Sequence, residues 1–110
     1  MHKPICFIGA AAVAGLALLA PALAADPNRA PFLAEKRGCM ECHAIGSTNG
    51  GPSFPAIAVR YRYQEGAREM LVDKIRIGGV KHWGERFNMW PQYTVPDDEA
   101  HELVDWILQQ

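Results

Sequence analysis

Cys39-Met40-Glu41-Cys42-His43 is the stretch around which the chain is organised. It reads C-x-x-C-H, the attachment pattern of c-type haem. Two thiols add across the two vinyl groups on one porphyrin edge and hold the ring by thioether bonds. A histidine directly after the second thiol then reaches the iron. On a helix, Cys39 and Cys42 are three apart and His43 is four from Cys39, so all three side chains are expected on one face. Other readings of a cysteine pair fit less well. A redox C-x-x-C belongs to a strand-helix context, and nothing upstream reads as a strand. A structural zinc site takes four ligands in two paired clusters, and no second cysteine pair exists. One covalent haem c is therefore expected, attached through Cys39 and Cys42 with His43 on the iron.

The start of the chain belongs to a different class of sequence. Lys3 gives a short positive head, residues 5–20 are apolar and uncharged, and Ala22-Leu23-Ala24 offers an A-x-A cleavage site before Ala25. This pattern predicts a secretory signal peptide over 1–24, cleaved near Ala24, and a single exported domain over 25–110 in the periplasm. A retained anchor is the rival reading, but the apolar run is short for a membrane span. No stable membrane insertion is expected after cleavage. Cys6 falls in the removed segment and is given no role. The full chain carries 11 Lys+Arg against 12 Asp+Glu. Loss of Lys3 with the leader makes the mature net charge about −2, and two haem propionates lower it further. There is no long basic run, so nucleic acid is not an expected partner. A domain this short is small for a self-sufficient core, and a large apolar disc at its centre would help. No disulfide is expected, because the haem consumes both remaining thiols.

The rest of the chain reads as three or four short helices joined by loops. Asn28 caps the first, Pro31 lies in its first turn, and Phe32 and Leu33 supply the apolar contacts. Gly38 either ends that helix or lets the backbone pass close to the haem edge. Residues 44–51 form a loop by composition, closed by Gly51-Pro52. A short helix follows over 55–63, with Ile57 and Val59 partly buried. Arg60 and Arg62 are read as a solvated face; the sharper alternative pairs one with a propionate. After Gly66, the residues Ala67, Met70, Leu71 and Ile75 recur at helical spacing, and Gly78-Gly79 ends that element. From Val80 to Pro96 no period is clean, and a long loop in a small domain is usually functional. Asp97, Asp98 and Glu99 then open the clearest helix, with a stripe of Ala100, Leu103, Val104 and Ile107 widened by Trp106.

Haem held this way leaves one iron face open. Met40 lies between the cysteines and points away. Met70 sits on an apolar stripe and reads as core. His101 is off the stripe of the last helix and reads as solvated. Met89 lies in the long loop ahead of Trp90-Pro91, where a wrapping segment presents a thioether, and His82 is its main rival. Met89 is preferred. A thioether ligand favours Fe(II), raises the potential and closes the site to substrate.

Together these features resemble the small bacterial class I cytochromes c, close to the c-551 type, over nearly the whole mature chain. The resemblance rests on Gly38-Cys39-Met40-Glu41-Cys42-His43-Ala44-Ile45, Gly51-Pro52, Trp83-Gly84, Met89 ahead of a proline, and Asp97-Asp98-Glu99-Ala100 leading to Trp106. It implies an all-α fold wrapped around one haem, with the first and last helices crossing near Phe32 and Trp106. It implies that Pro52 offers its carbonyl to the second ring nitrogen of His43, that Trp83 donates its indole N–H to a propionate, and that Met89 is the distal ligand. The family often has proline directly after that methionine; here Trp90 intervenes.

The function this points to is a monomeric periplasmic electron carrier, not an enzyme. It would take single electrons from a quinol-oxidising complex or other membrane donor and pass them to a terminal oxidase or reductase. The alternatives are a haem c subunit of a dehydrogenase or oxidase complex and, further off, an open-site haem enzyme or gas sensor.

Overall fold

A computed structural model describes residues 2–5, 9–20, 26–44, 46, 50–80 and 82–110. Cys6, the Ala22–Ala25 cleavage motif, Ile45 and Asn49 lie outside the described residues. Residues 2–5 and 9–20 take no regular secondary structure and are exposed. Among the described residues, no helix is long and apolar enough to cross a membrane. The described residues form four α-helices: α1 (Arg29–Lys36), α2 (Phe54–Tyr61), α3 (Ala67–Ile77) and α4 (Asp97–Ile107). The described residues contain no strand, only one isolated bridge between Gly79 and Met89.

Helix α4 is the spine. Its three acids, Asp97, Asp98 and Glu99, meet the positive end of the helix dipole. Its stripe buries Ala100, Leu103, Val104 and Ile107, as the spacing predicts. α1 and α3 both pack on it. Leu33 and Ala34 of α1, Val72 and Ile75 of α3, and Val95 close one cluster around Leu103 and Val104. Phe54, Ile57 and Tyr61 of α2, with Ala67, close a second around Ile107. Each side chain of this size taken fully from water contributes about 1.5–3 kcal/mol. Arg37, just past α1, pairs with Glu99 at 2.7 Å and ties the end of α1 to the first turn of α4.

Helix α2 starts at Ser53, whose Oγ accepts from the Ala56 N–H at 3.2 Å, and Pro55 sits in its first turn where no N–H is needed. It buries Phe54, Ile57, Ala58 and Tyr61, the i, i+3, i+4, i+7 face. Val59 is one step further round, a turn of about 100°, and is 80% exposed, contrary to the expectation of partial burial. Phe32 is displaced for the same reason. α1 buries Ala30, Leu33 and Ala34, which leaves Phe32 exposed and away from the α1–α4 contact. Trp106 does stand at that contact, packed against both clusters. Arg60 and Arg62 are exposed but committed. Arg60 donates to the His82 carbonyl at 2.6 Å, and Arg62 donates to those of Leu108 (2.8 Å) and Gln110 (2.6 Å), fastening the C-terminus to the end of α2.

Candidate haem-binding cleft

Cys39, Met40 and Glu41 form a single 3-10 turn rather than an α-helix. Gly38 precedes it with φ +73° and both ends α1 and lines the cleft, so its two expected roles coincide. The Cys39 carbonyl accepts from the N–H groups of Cys42 (3.2 Å) and His43 (2.9 Å). One short turn thus holds the whole C-x-x-C-H unit, and a longer helix is not required to do so. Cys39 is half-buried and Cys42 exposed. Burial pushes the Cys39 thiol up, against the opposing pull of its own backbone hydrogen bond and of Arg37.

The His43 ring is fixed from three sides. Its Nδ1 lies 2.7 Å from the Pro52 carbonyl oxygen. A carbonyl only accepts, so Nδ1 carries the hydrogen and Nε2 keeps its lone pair for a metal. Phe54 stacks on the ring at 5.5 Å between centroids and 18° between planes. Gly51 is pressed against it: a Cβ there would stand 2.9 Å from the ring Cε1. The sequence singled out Gly51-Pro52 as a loop closure. The stacking role of Phe54 was not foreseen, since its only sequence signal is an aromatic residue directly after a Gly-Pro-Ser cap.

These residues open onto a cleft of about 1120 Å³, part of it open to solvent. Ile57, Leu71, Ile75, Leu103, Val104 and Ile107 give it apolar walls from three helices, and the long segment after α3 adds Trp83, Phe87, Met89 and Trp90. Its charged lining residues are Arg37 and Lys74, and no carboxylate lines it among the described residues. A flat apolar ring with two anionic arms fits such a lining. Of the side chains considered for the second iron face, Met89 lines this cleft; Met40, Met70, His82 and His101 do not. Met70 packs in the second cluster, as expected of a core residue. His82 stands edge-on to Tyr61. His101, expected off the stripe and solvated, lies on that outer face and is bonded to Glu69 at 2.9 Å and to the Asp97 carbonyl at 2.8 Å.

The Met89 backbone is held from α3. Gly79 N–H donates to the Met89 carbonyl at 2.8 Å and Met89 N–H returns to that of Gly79 at 3.2 Å. Lys74 donates to the carbonyls of Gly78 and Gly79. A Cβ at Gly78 would strike the Met89 carbonyl oxygen, and its φ of +71° with ψ of −152° is a region essentially reserved for glycine. Trp83 has the Arg60 guanidinium over its ring at 4.6 Å.

No family model matches the chain. Individual relatives do. The chain is 40% identical over 76 residues to cytochrome c-551 of Allochromatium vinosum, covering 69% of this chain and 80% of that one. It is 34% identical over 108 residues to cytochrome c-551 of Pseudomonas aeruginosa, covering 98% of each. The crystal structure of Nitrosomonas europaea cytochrome c552 superposes with a TM-score of 0.65 at 36% identity, over 71% of this chain and 95% of that one. The fold and the cleft define an all-α protein built to enclose a covalently held haem. The chain belongs to the small class I cytochromes c of the c-551/c-552 type. It carries one covalent haem c and transfers electrons.

Proposed function

We propose that this protein is a freely diffusing periplasmic carrier that shuttles single electrons from a membrane donor complex to a terminal oxidase or reductase. Residues 1–24 serve as a cleaved export leader, and residues 25–110 form the mature, monomeric domain. Cys39 and Cys42 attach the haem, His43 is the proximal ligand, and Met89 is the distal one. Pro52 sets the orientation of His43, and Trp83 donates to a propionate. The observation that carries this reading is the convergence of His43 and Met89, from separate elements, on one apolar cleft. When bound, the haem supplies a one-electron Fe(III)/Fe(II) couple. The protein's part is to position it, exclude water and leave one edge near the surface. Held by both His43 and Met89, the haem would offer substrate no coordination site, which suits outer-sphere transfer rather than catalysis. Partners dock at the side of the cleft where Cys39 and Cys42 would attach the haem. The test is the oxidised and reduced spectrum of the purified holoprotein, with carbon monoxide added to the reduced form. A weak far-red sulfur-to-iron band and no carbon monoxide adduct are expected. Ready carbon monoxide binding with no such band would contradict a closed carrier.

A further inference from the structure

Residues 82–88 run between the paired Gly79 and Met89 and carry two aromatic side chains of the cleft wall, Trp83 and Phe87. Among the described residues, one hydrogen bond reaches this segment from another element. Arg60, in the last turn of α2, donates through Nη1 to the His82 carbonyl at 2.6 Å. The same guanidinium lies over the Trp83 ring, 4.6 Å from its centroid, and over the Tyr61 ring at 5.2 Å. Tyr61 in turn meets Trp83 edge-on at 6.2 Å and His82 edge-on at 6.3 Å. Tyr61 is buried, but its hydroxyl has no hydrogen-bond partner among the described residues, so it makes no polar tie to the segment. The polar grip on this wall of the cleft therefore falls to Arg60. A planar guanidinium suits the place, because its N–H fork bonds the carbonyl while its flat face stacks on the indole. An ammonium has no such face.

We propose that Arg60 is a positioning residue for the redox centre: it clamps the Trp83 indole, and the segment leading to Met89, against α2 and keeps that wall of the cofactor cleft closed to water. Arg60 does not itself line the cleft, so it acts through Trp83. The consequence for function is the reduction potential. Water admitted beside the haem stabilises the more highly charged Fe(III) form, so a loosened wall lowers the potential. The proposal rests on the reading above in which Trp83 donates its indole N–H to a propionate.

The test is hydrogen exchange of the three indole N–H groups in the reduced holoprotein, read by NMR, together with the potential. Trp106, packed against both core clusters, reports general opening, and the exposed Trp90 sets the unprotected limit. Arg60→Met keeps the apolar stem and drops the guanidinium. It should speed Trp83 indole exchange about tenfold or more and leave Trp106 at the wild-type rate. Arg60→Lys keeps the charge without the planar fork and should fall between Arg60→Met and the wild type. The potential should fall in both variants, further in Arg60→Met, with the far-red sulfur band retained. Unchanged Trp83 exchange in Arg60→Met overturns the proposal. Equal acceleration at Trp106 does so too, since Arg60 would then be a general stabiliser. A wild-type potential in Arg60→Lys beside a lowered one in Arg60→Met also overturns it, leaving charge as the whole of the effect. Failure of the underlying reading looks different: the Trp83 indole would exchange as fast as that of Trp90 in the wild-type protein itself, and the proposal would fall with it.

Discussion

His43 donates its Nδ1–H to the Pro52 carbonyl oxygen across 2.7 Å, and Gly51, the residue beside that proline, has no side chain because the imidazole occupies the place. The hydrogen bond and the missing Cβ work together. One fixes the tautomer, and the other lets the backbone come close enough to make it. Gly51→Ala should force the ring or the loop to shift. Overpacking of this kind costs roughly 1–3 kcal/mol. Denaturant unfolding of the holoprotein should report that loss, and the reduction potential should move with it. A variant with unchanged midpoint and potential would show that the loop yields freely and does not set the ring.

Removing either thiol tests attachment directly. Cys39→Ala or Cys42→Ala should leave a single thioether and reduce stable haem incorporation, and the double variant should hold none covalently. The measurement is extraction into acidified organic solvent. Haem that leaves the unaltered protein under these conditions would contradict covalent linkage.

Much of this arrangement was readable from the residues. The stripe Ala100, Leu103, Val104 and Ile107 came directly from period, because on α4 the buried face is the apolar face. Cys39, Cys42 and His43 were legible because their spacing is chemistry rather than packing. Phe32 and Val59 were misplaced because hydrophobicity alone does not say which of two neighbouring apolar residues faces inward; a step of about 100° decides it, and only the packed partner fixes the phase. The turn at Cys39–Glu41 was read as helix because 3-10 and α-helical spacing both bring residues three and four apart together. The cradle around His43 and the Gly79–Met89 bridge are tertiary contacts with no periodic signature.

A second charged cluster makes a prediction about pH. His101 on α4 has both ring nitrogens against acceptors: Nδ1 faces the Asp97 carbonyl (2.8 Å) and carboxylate (3.2 Å), and Nε2 faces Glu69 on α3 (2.9 Å). A neutral imidazole has one N–H and satisfies one side only; the imidazolium satisfies both. Hydrogen bonding to Glu69, then to the Asp97 backbone, holds the His101 pKa above its ordinary 6.5, and the same contact holds Glu69 below its ordinary 4.5. Arg68 bonds Glu69 and Asp105, and Arg76 pairs with Asp97, so the cluster spans α3 and α4. A raised histidine contributes stability that is complete below about pH 6.5 and is lost as pH rises through its folded value. A lowered carboxylate contributes above about pH 4.5 and is lost as pH falls through its folded value. The tie is therefore complete between these limits. Thermal unfolding of the holoprotein should show Tm falling from pH 6 to pH 8, and His101→Gln should flatten that slope. Equal slopes in the two proteins would assign the effect to other groups.

Met89 carries the proposed function, and its environment supports it over the other sulfurs as the distal ligand. Met70 is committed to the cluster beneath α2 and does not line the cleft. Met89 lines it from a backbone paired with Gly79 and packed against Gly78. A ligand ordered in advance keeps coordination nearly unchanged between the two oxidation states, and small reorganisation suits rapid electron exchange. Met89→Ala should open the iron, lower the potential and admit carbon monoxide. Met89→His should keep six ligands but also lower the potential, because imidazole stabilises Fe(III) more than a thioether does. Met70→Ala should lose some stability through the thinned edge of that cluster, less than the roughly 2–5 kcal/mol of a fully buried methionine, while its spectrum stays intact. The far-red sulfur-to-iron band of the oxidised protein distinguishes the two methionines. It should vanish in Met89→Ala and persist in Met70→Ala, and the reverse result would move the distal ligand to α3.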